Sequence, residues 1–179
     1  MMPVDEFHRQ VAVIALGASA GHGFALAGGN ALIAHGVAEW IVTAPGGEQM
    51  MLQMAYFDRC RSPVITDLGP ILDLEDVVGG KVCALASRAY ERDYADTAAA
   101  LDHYSVDQLI AFARRLDPGL TDVDFADAGR RLDNLSDSRF IAFGLGPQDV
   151  ADLRQRFAGW PRLAPPRQMT LGKQAPAGQ

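Results

Sequence analysis

From residue 76 onward the sequence is a succession of amphipathic segments, and this pattern limits the fold more than any other feature. Apolar residues recur at helical spacing over 76–90, 92–103, 105–116, 122–134 and 147–159. Turn-forming residues separate these segments at Asp117-Pro118-Gly119 and at Gly144-Leu145-Gly146-Pro147. The pattern predicts a helical second part of the chain, over 76–160.

The first 75 residues have a different character, with short apolar runs broken by glycine. We predict a helix over 5–20, a strand over 24–29, a helix over 30–36, a loop over 37–49, a strand over 50–58 and a turn-rich segment after it. Asp73, followed three residues later by Asp76, is expected to cap the next helix as a pair. The predicted class is α+β, with an α/β N-terminal part (1–75), a helical domain (76–160) and a disordered tail (161–179) rich in Pro, Gly and Gln.

Charge and hydropathy exclude some classes of protein. The net charge of −6 is not that of a polycation, so any contact with nucleic acid needs a local basic patch. The apolar runs are interrupted well short of a membrane span, and the N-terminus lacks the pattern of a signal peptide. Cys60 and Cys83 have no metal-ligand spacing and are expected to be reduced thiols. We expect a cytoplasmic protein without a membrane partner.

The most informative charged residues follow one another from Lys81 to Asp96. If the chain is one continuous helix there, Lys81, Arg88, Arg92 and Asp96 share one face, and Asp93 lies about 120° away from it. A row of cations ending in a carboxylate is suited to bind a triphosphate and to orient an attacking hydroxyl. The same row is also typical of a solvated helix face with i,i+4 pairs such as Arg92 with Asp96. Spacing alone leaves both interpretations open.

Two stretches carry a family resemblance over residues 5–160. "LAGGNALIAHG" and "PVITDLGPILDLEDVVGGKVCALASRAYERDYADTAAALDHYS" resemble the nucleotidyltransferase AbiEii/AbiGii toxins, the toxins of abortive-infection toxin–antitoxin pairs. The resemblance implies a reduced polymerase-β-like nucleotidyltransferase core followed by a helical bundle. It also implies Mg²⁺ and an NTP as cofactors, a cognate antitoxin as partner, and transfer of nucleotides to a nucleic acid such as the 3′ end of tRNA.

The resemblance assigns roles to individual residues. Lys81 matches the NTP-binding lysine and Asp96 the late aspartate of the family, and Asp58 matches a third catalytic carboxylate. Asp58 is equally well interpreted as a solvated residue at the end of a strand. The remaining matches are to the nucleotide-binding turn and the charged signature: Gly28, Gly29, Asn30, Arg88, Arg92 and Asp93.

The sequence departs from the family pattern after the glycine turn. Family members carry an Asp-x-Asp or Asp-Glu pair there, which holds the metal ions. Residues 37–50 contain only Glu39 and Glu48 as acids, and Glu48 is left as a lone candidate metal ligand. Three interpretations therefore stay open: a nucleotidyltransferase toxin, a catalytically degenerate relative that serves as a nucleotide-binding or antitoxin-binding module, or a structural α+β protein whose charged helix face is only solvated.

Overall fold

A computed structural model describes residues 6–18, 37–43, 46–47, 49–55, 57–67 and 69–163, and shows seven helices and four short strands there. The elements are α1 (Glu6–Ala18), β1 (Val37–Thr43), β2 (Gln49–Ala55), β3 (Val64–Thr66), β4 (Gly69–Ile71), α2 (Leu74–Ser87), α3 (Glu91–Ala100), α4 (Val106–Leu116), α5 (Asp122–Asn134), α6 (Asp137–Phe143), α7 (Pro147–Arg156) and a 3₁₀ turn (Phe157–Gly159). The α+β class is confirmed. The predicted strand over 24–29 and helix over 30–36 lie outside the described residues.

The described strands form two separate antiparallel hairpins. β1 pairs with β2 from Val37 opposite Ala55 to Thr43 opposite Gln49, and β3 pairs with β4. The prediction of a loop over 37–49 is therefore wrong. The run "VAEWIVT" is rich in β-branched and aromatic residues, which favour a strand, and Gly47 supplies the positive φ of +90° in the connection.

The two aspartates at the start of α2 act differently. Asp73 caps the helix, since its Oδ1 accepts the Glu75 N–H at 2.9 Å. Asp76 is buried, and its Oδ2 accepts the N–H groups of Cys60 at 3.1 Å and Arg61 at 2.9 Å. Only Asp73 is the predicted cap, whereas Asp76 attaches the segment after β2 to the helical part of the chain.

The chain does not run as one helix from Lys81 to Asp96. α2 ends at Ser87 and α3 begins at Glu91, with Ala89 between them at a left-handed φ of +53°. This conformation is uncommon for a residue other than glycine. The cause lies in the next helix, because the Asp93 carboxylate accepts the Tyr90 N–H at 3.0 Å and so fixes a new helix start. The angular positions calculated for a continuous helix are therefore wrong.

The core is a helical bundle in which α2 packs mainly against α4 and also against α3 and α5. Tyr94 of α3 is fully buried and donates its hydroxyl to the Ala128 carbonyl of α5 at 2.7 Å. Its ring meets Phe140 and Phe157 edge to face, with centroids 6.1 and 5.6 Å apart. Tyr94 thus joins α3 to three other elements of the bundle.

The later helices agree with the sequence except at two points. α4 and α5 match the predicted segments closely, but the segment over 147–159 changes from α7 to the 3₁₀ turn after Arg156. α6 was not predicted, because its seven residues are too few for a clear helical period. It ends at Gly144, whose φ of +111° gives the left-handed cap. None of the described helices is long and apolar enough to cross a membrane.

Substitution of Gly79 by alanine tests the contact between α2 and α4. An added Cβ would lie 2.9 Å from the Phe112 carbonyl oxygen and 2.9 Å from Leu116 Cδ1. We expect Gly79→Ala to lower the free energy of unfolding by about 1–2 kcal/mol, because overpacking outweighs the gain in helix propensity. Gly17→Ala in α1, where the new Cβ meets nothing within 4 Å, is the control and should be neutral or stabilising. Equal effects in urea unfolding would show that the close approach is absent.

Alkaline stability tests the burial of two core groups. Burial raises the pKa of the Tyr94 hydroxyl from 10.0 to about 12 and that of the Cys83 thiol from 9.0 to about 12. The folded protein keeps these protons after the unfolded chain has lost them, so stability is intact below pH 9 and falls as the pH rises toward 12. The loss should reach about 1.4 kcal/mol per pH unit for each group. Tyr94→Phe should reduce the dependence of the unfolding free energy on pH above pH 10, as measured by urea unfolding at a series of pH values. An unchanged dependence on pH would contradict this.

Candidate functional site

The helix break brings together Lys81 and Asp96, two of the predicted catalytic residues. Lys81 Nζ of α2 lies 2.8 Å from Asp96 Oδ2 of α3. The Lys81 side chain is 13% exposed and that of Asp96 37%, so the pair lies at the edge of the bundle and is open to solvent on the Asp96 side. The expected i,i+4 pair between Arg92 and Asp96 does not form, because Asp96 binds the lysine of the neighbouring helix instead.

A second pair lies at the turn itself. Arg88 donates from Nε to Asp93 Oδ2 at 3.0 Å and from Nη2 to Asp93 Oδ1 at 2.9 Å, a bidentate geometry. The Asp93 side chain is only 2% exposed. The hydrogen bond to Asp93 raises the pKa of the Arg88 guanidinium. The negative charges of Asp93 and Asp96 also raise this pKa, and burial opposes them. Arg88 was predicted to bind nucleotide, but the structure uses two of its nitrogen donors to hold Asp93.

Arg92 is the cation with the most unused hydrogen-bonding capacity at this surface. Its Nε lies 3.9 Å from Asp93 Oδ1, which is an ionic contact and too long for a hydrogen bond. The Nε is buried and has no hydrogen-bond partner among the described residues, while the side chain as a whole is 38% exposed. Since Asp93 is already bound by Arg88, and no hydrogen bond among the described residues uses the two terminal nitrogens of Arg92, these nitrogens and not the buried Nε are available to an external acceptor.

Tyr90, which the sequence reasoning missed, completes this surface. It is 51% exposed, and the Arg88 guanidinium carbon lies 5.6 Å from its ring centroid. The available signal was an aromatic residue placed between two arginines, "RAYER". We refer to Lys81, Arg88, Tyr90, Arg92 and Asp96 as the α2–α3 surface, with Asp93 buried beneath it.

Other predicted site residues are not brought to this surface. The strand expected to end in Asp58 stops at Ala55, so the prediction that Asp58 closes a strand is wrong. Asp58 is exposed in the irregular segment after β2, and no hydrogen bond or ion pair of the described residues joins it to Lys81 or Asp96. Gly28, Gly29, Asn30 and Glu48 lie outside the described residues.

The carboxylates of the α2–α3 surface do not suit Mg²⁺. A magnesium site needs several oxygen ligands free to face one ion, but Asp96 binds Lys81 and Asp93 is enclosed by Arg88. Across the described ranges, no group of three or more His, Cys, Asp or Glu side chains is placed to hold a metal. The same surface suits phosphate better, since it carries three cations against two carboxylates.

Removal of the Asp93 carboxylate tests whether it holds the turn together. Asp93→Ala should lower the free energy of unfolding by about 2–4 kcal/mol, because it leaves the Arg88 guanidinium and the Tyr90 N–H without their acceptor. Asp102→Ala breaks an exposed pair with Arg156 at 2.9 Å and is the matched control, with an expected cost below about 1 kcal/mol. Similar losses for the two variants in denaturant unfolding would contradict the role of Asp93.

The chain was compared with protein families, curated proteins and solved structures. No protein-family model, curated protein or solved structure matches the chain. The inference of a ligand site at the α2–α3 surface therefore rests on the contacts and exposure of its residues.

Proposed function

We propose that this chain is a nucleotidyltransferase-like toxin that binds an NTP through the α2–α3 surface and transfers its nucleotidyl group to a hydroxyl of a nucleic acid, such as the 3′ end of tRNA. The new phosphodiester bond forms at the α-phosphate as the α–β phosphoanhydride bond breaks and pyrophosphate leaves. The reduced polymerase-β-like core, the cognate antitoxin and the glycine turn at Gly28 and Gly29 are parts of the same proposal, and they follow from the family resemblance.

One observation carries the proposal: an under-used guanidinium lies beside a paired lysine and carboxylate. Arg92 and Asp96 are four residues apart on α3, so their side chains are neighbours on one face. Lys81 reaches that face from α2 and binds Asp96 at 2.8 Å. A phosphate group placed against Arg92 gains a planar donor set, and it has the Lys81 ammonium close by as a point charge. Arginine binds phosphate as a bidentate fork and lysine as a point charge, so the two side chains contribute in different ways.

The charge arrangement also suggests how the site accepts its ligand. Asp96 is 37% exposed, so it is free to exchange its contact with Lys81 for water when phosphate oxygens approach the ammonium. Asp93 is buried and held by two hydrogen bonds from Arg88, and it stays in place. Binding therefore rearranges the exposed pair and leaves the buried pair intact.

A second candidate is favoured by the same ion pairs. Because both carboxylates already bind cations, the surface is better suited to hold phosphate than to coordinate metal or to accept a proton. This arrangement favours a catalytically degenerate relative, which binds nucleotide or an antitoxin without transferring a nucleotidyl group.

A binding and transfer experiment separates the two candidates. Purified protein is titrated with ATP, CTP, GTP and UTP, and then incubated with each labelled NTP, Mg²⁺ and total tRNA. Arg92→Gln should weaken NTP binding about 10- to 100-fold, because it removes charge-assisted hydrogen bonds but no hydrogen bond within the described protein. Arg131→Gln replaces an exposed arginine on α5 and should change binding less than about twofold.

The transfer step decides between catalysis and binding alone. Label on tRNA that disappears in Lys81→Ala and Asp96→Ala supports the transferase. NTP binding without incorporation supports the degenerate relative. If the wild-type protein neither binds nor incorporates any of the four nucleotides, both proposals are wrong.

A further inference from the structure

The Tyr90 ring at the α2–α3 surface is left half exposed by its contacts with the described residues. Tyr90 is the N-cap residue of α3, and its side chain makes no capping hydrogen bond. The residue is 51% exposed, so much of an apolar ring faces water. Exposed aromatic rings beside arginines are a recurrent means of binding the bases of single-stranded nucleic acids and nucleotides.

The ring is held in a defined place by a chain of contacts. The Tyr90 N–H donates to Asp93 Oδ2 at 3.0 Å, which fixes the backbone. The guanidinium of Arg88 lies over the ring at 5.6 Å, and Arg88 is itself held by both oxygens of Asp93. A ring that is already positioned loses less conformational freedom when a second planar group stacks on it.

The same carboxylate links the ring to the available cation. Asp93 Oδ1 accepts from Arg88 and lies 3.9 Å from Arg92 Nε, so the guanidinium groups of Arg88 and Arg92 face one buried acceptor. The Tyr90 ring is therefore linked to Arg92 through Arg88 and the Asp93 carboxylate. A ligand with a planar base and a phosphate chain has a partner for each part there.

We propose that Tyr90 is a nucleobase-stacking residue, with the base on its ring and the phosphates on Arg92 and Lys81. This inference rests on the proposed function and adds to it the residue that recognises the base. The shared chemistry is that of a planar heterocycle, whether it belongs to an NTP or to an unpaired nucleotide of RNA. Stacking tolerates all four bases, so the ring contributes affinity and little selectivity among them.

Comparison of ligands with and without a base tests the proposal. ATP, inorganic tripolyphosphate and a short oligoadenylate are titrated against the wild type, Tyr90→Ala, Tyr90→Phe and Phe143→Ala. Phe143 of α6 is also 51% exposed and serves as the control for loss of a surface aromatic ring. Tyr90→Ala should weaken binding of ATP, of oligoadenylate or of both by about 5- to 100-fold, while Tyr90→Phe and Phe143→Ala change it less than about twofold.

Tripolyphosphate separates this proposal from the one on which it rests. Its affinity should be the same in the wild type and Tyr90→Ala, and should fall in Arg92→Gln. An effect on ATP alone assigns the base to the NTP, and an effect on oligoadenylate alone assigns it to RNA. Equal loss of tripolyphosphate binding in Tyr90→Ala, or no loss for any ligand, overturns the stacking role while the phosphate site stands. Absence of binding by the wild type to all three ligands overturns both.

Discussion

The Asp93 carboxylate at the start of α3 organises everything described around the α2–α3 surface. It is almost fully buried, accepts two hydrogen bonds from Arg88, and caps the new helix through the Tyr90 N–H. An ionised carboxylate in the interior needs this number of donors, because desolvation without partners costs several kcal/mol. Since those donors come from the end of α2 and the start of α3, the carboxylate determines where the first helix ends and the second begins.

The exposed part of the surface depends on that buried pair. With α2 and α3 joined by a short turn, Lys81 meets Asp96 although the two are fifteen positions apart in the sequence. Arg92 shares the acceptor that Arg88 already occupies and so keeps hydrogen-bonding capacity for a ligand. Structural and functional charges are thus divided within one short sequence: Arg88 and Asp93 hold the turn, and Arg92 and Lys81 are proposed to hold phosphate.

Much of the helical part was predictable from sequence, and the reasons for success and failure are local. α4 and α5 follow a clear apolar period and end at recognisable turns, so their bounds agree with the prediction. The break at Ala89 was not predictable from periodicity, because no glycine or proline marks it and it depends on the side chain of Asp93. Lys81 and Asp96 were grouped correctly by an incorrect route, since a turn and not a continuous face brings them together. Tyr90 was missed because exposure of a single aromatic residue has no periodic signal.

Arg92 is proposed to be the cation open to ligand, while Arg88 is committed to Asp93. NMR of the uniformly ¹⁵N-labelled protein tests it directly, because the Nε–H signals of the two arginines report on the two sites separately. Titration with tripolyphosphate should shift the Arg92 Nε–H resonance progressively to saturation and leave that of Arg88 nearly unchanged. A shift confined to Arg88, or no shift of either resonance at saturating ligand, would contradict the assignment of the α2–α3 surface as a phosphate site.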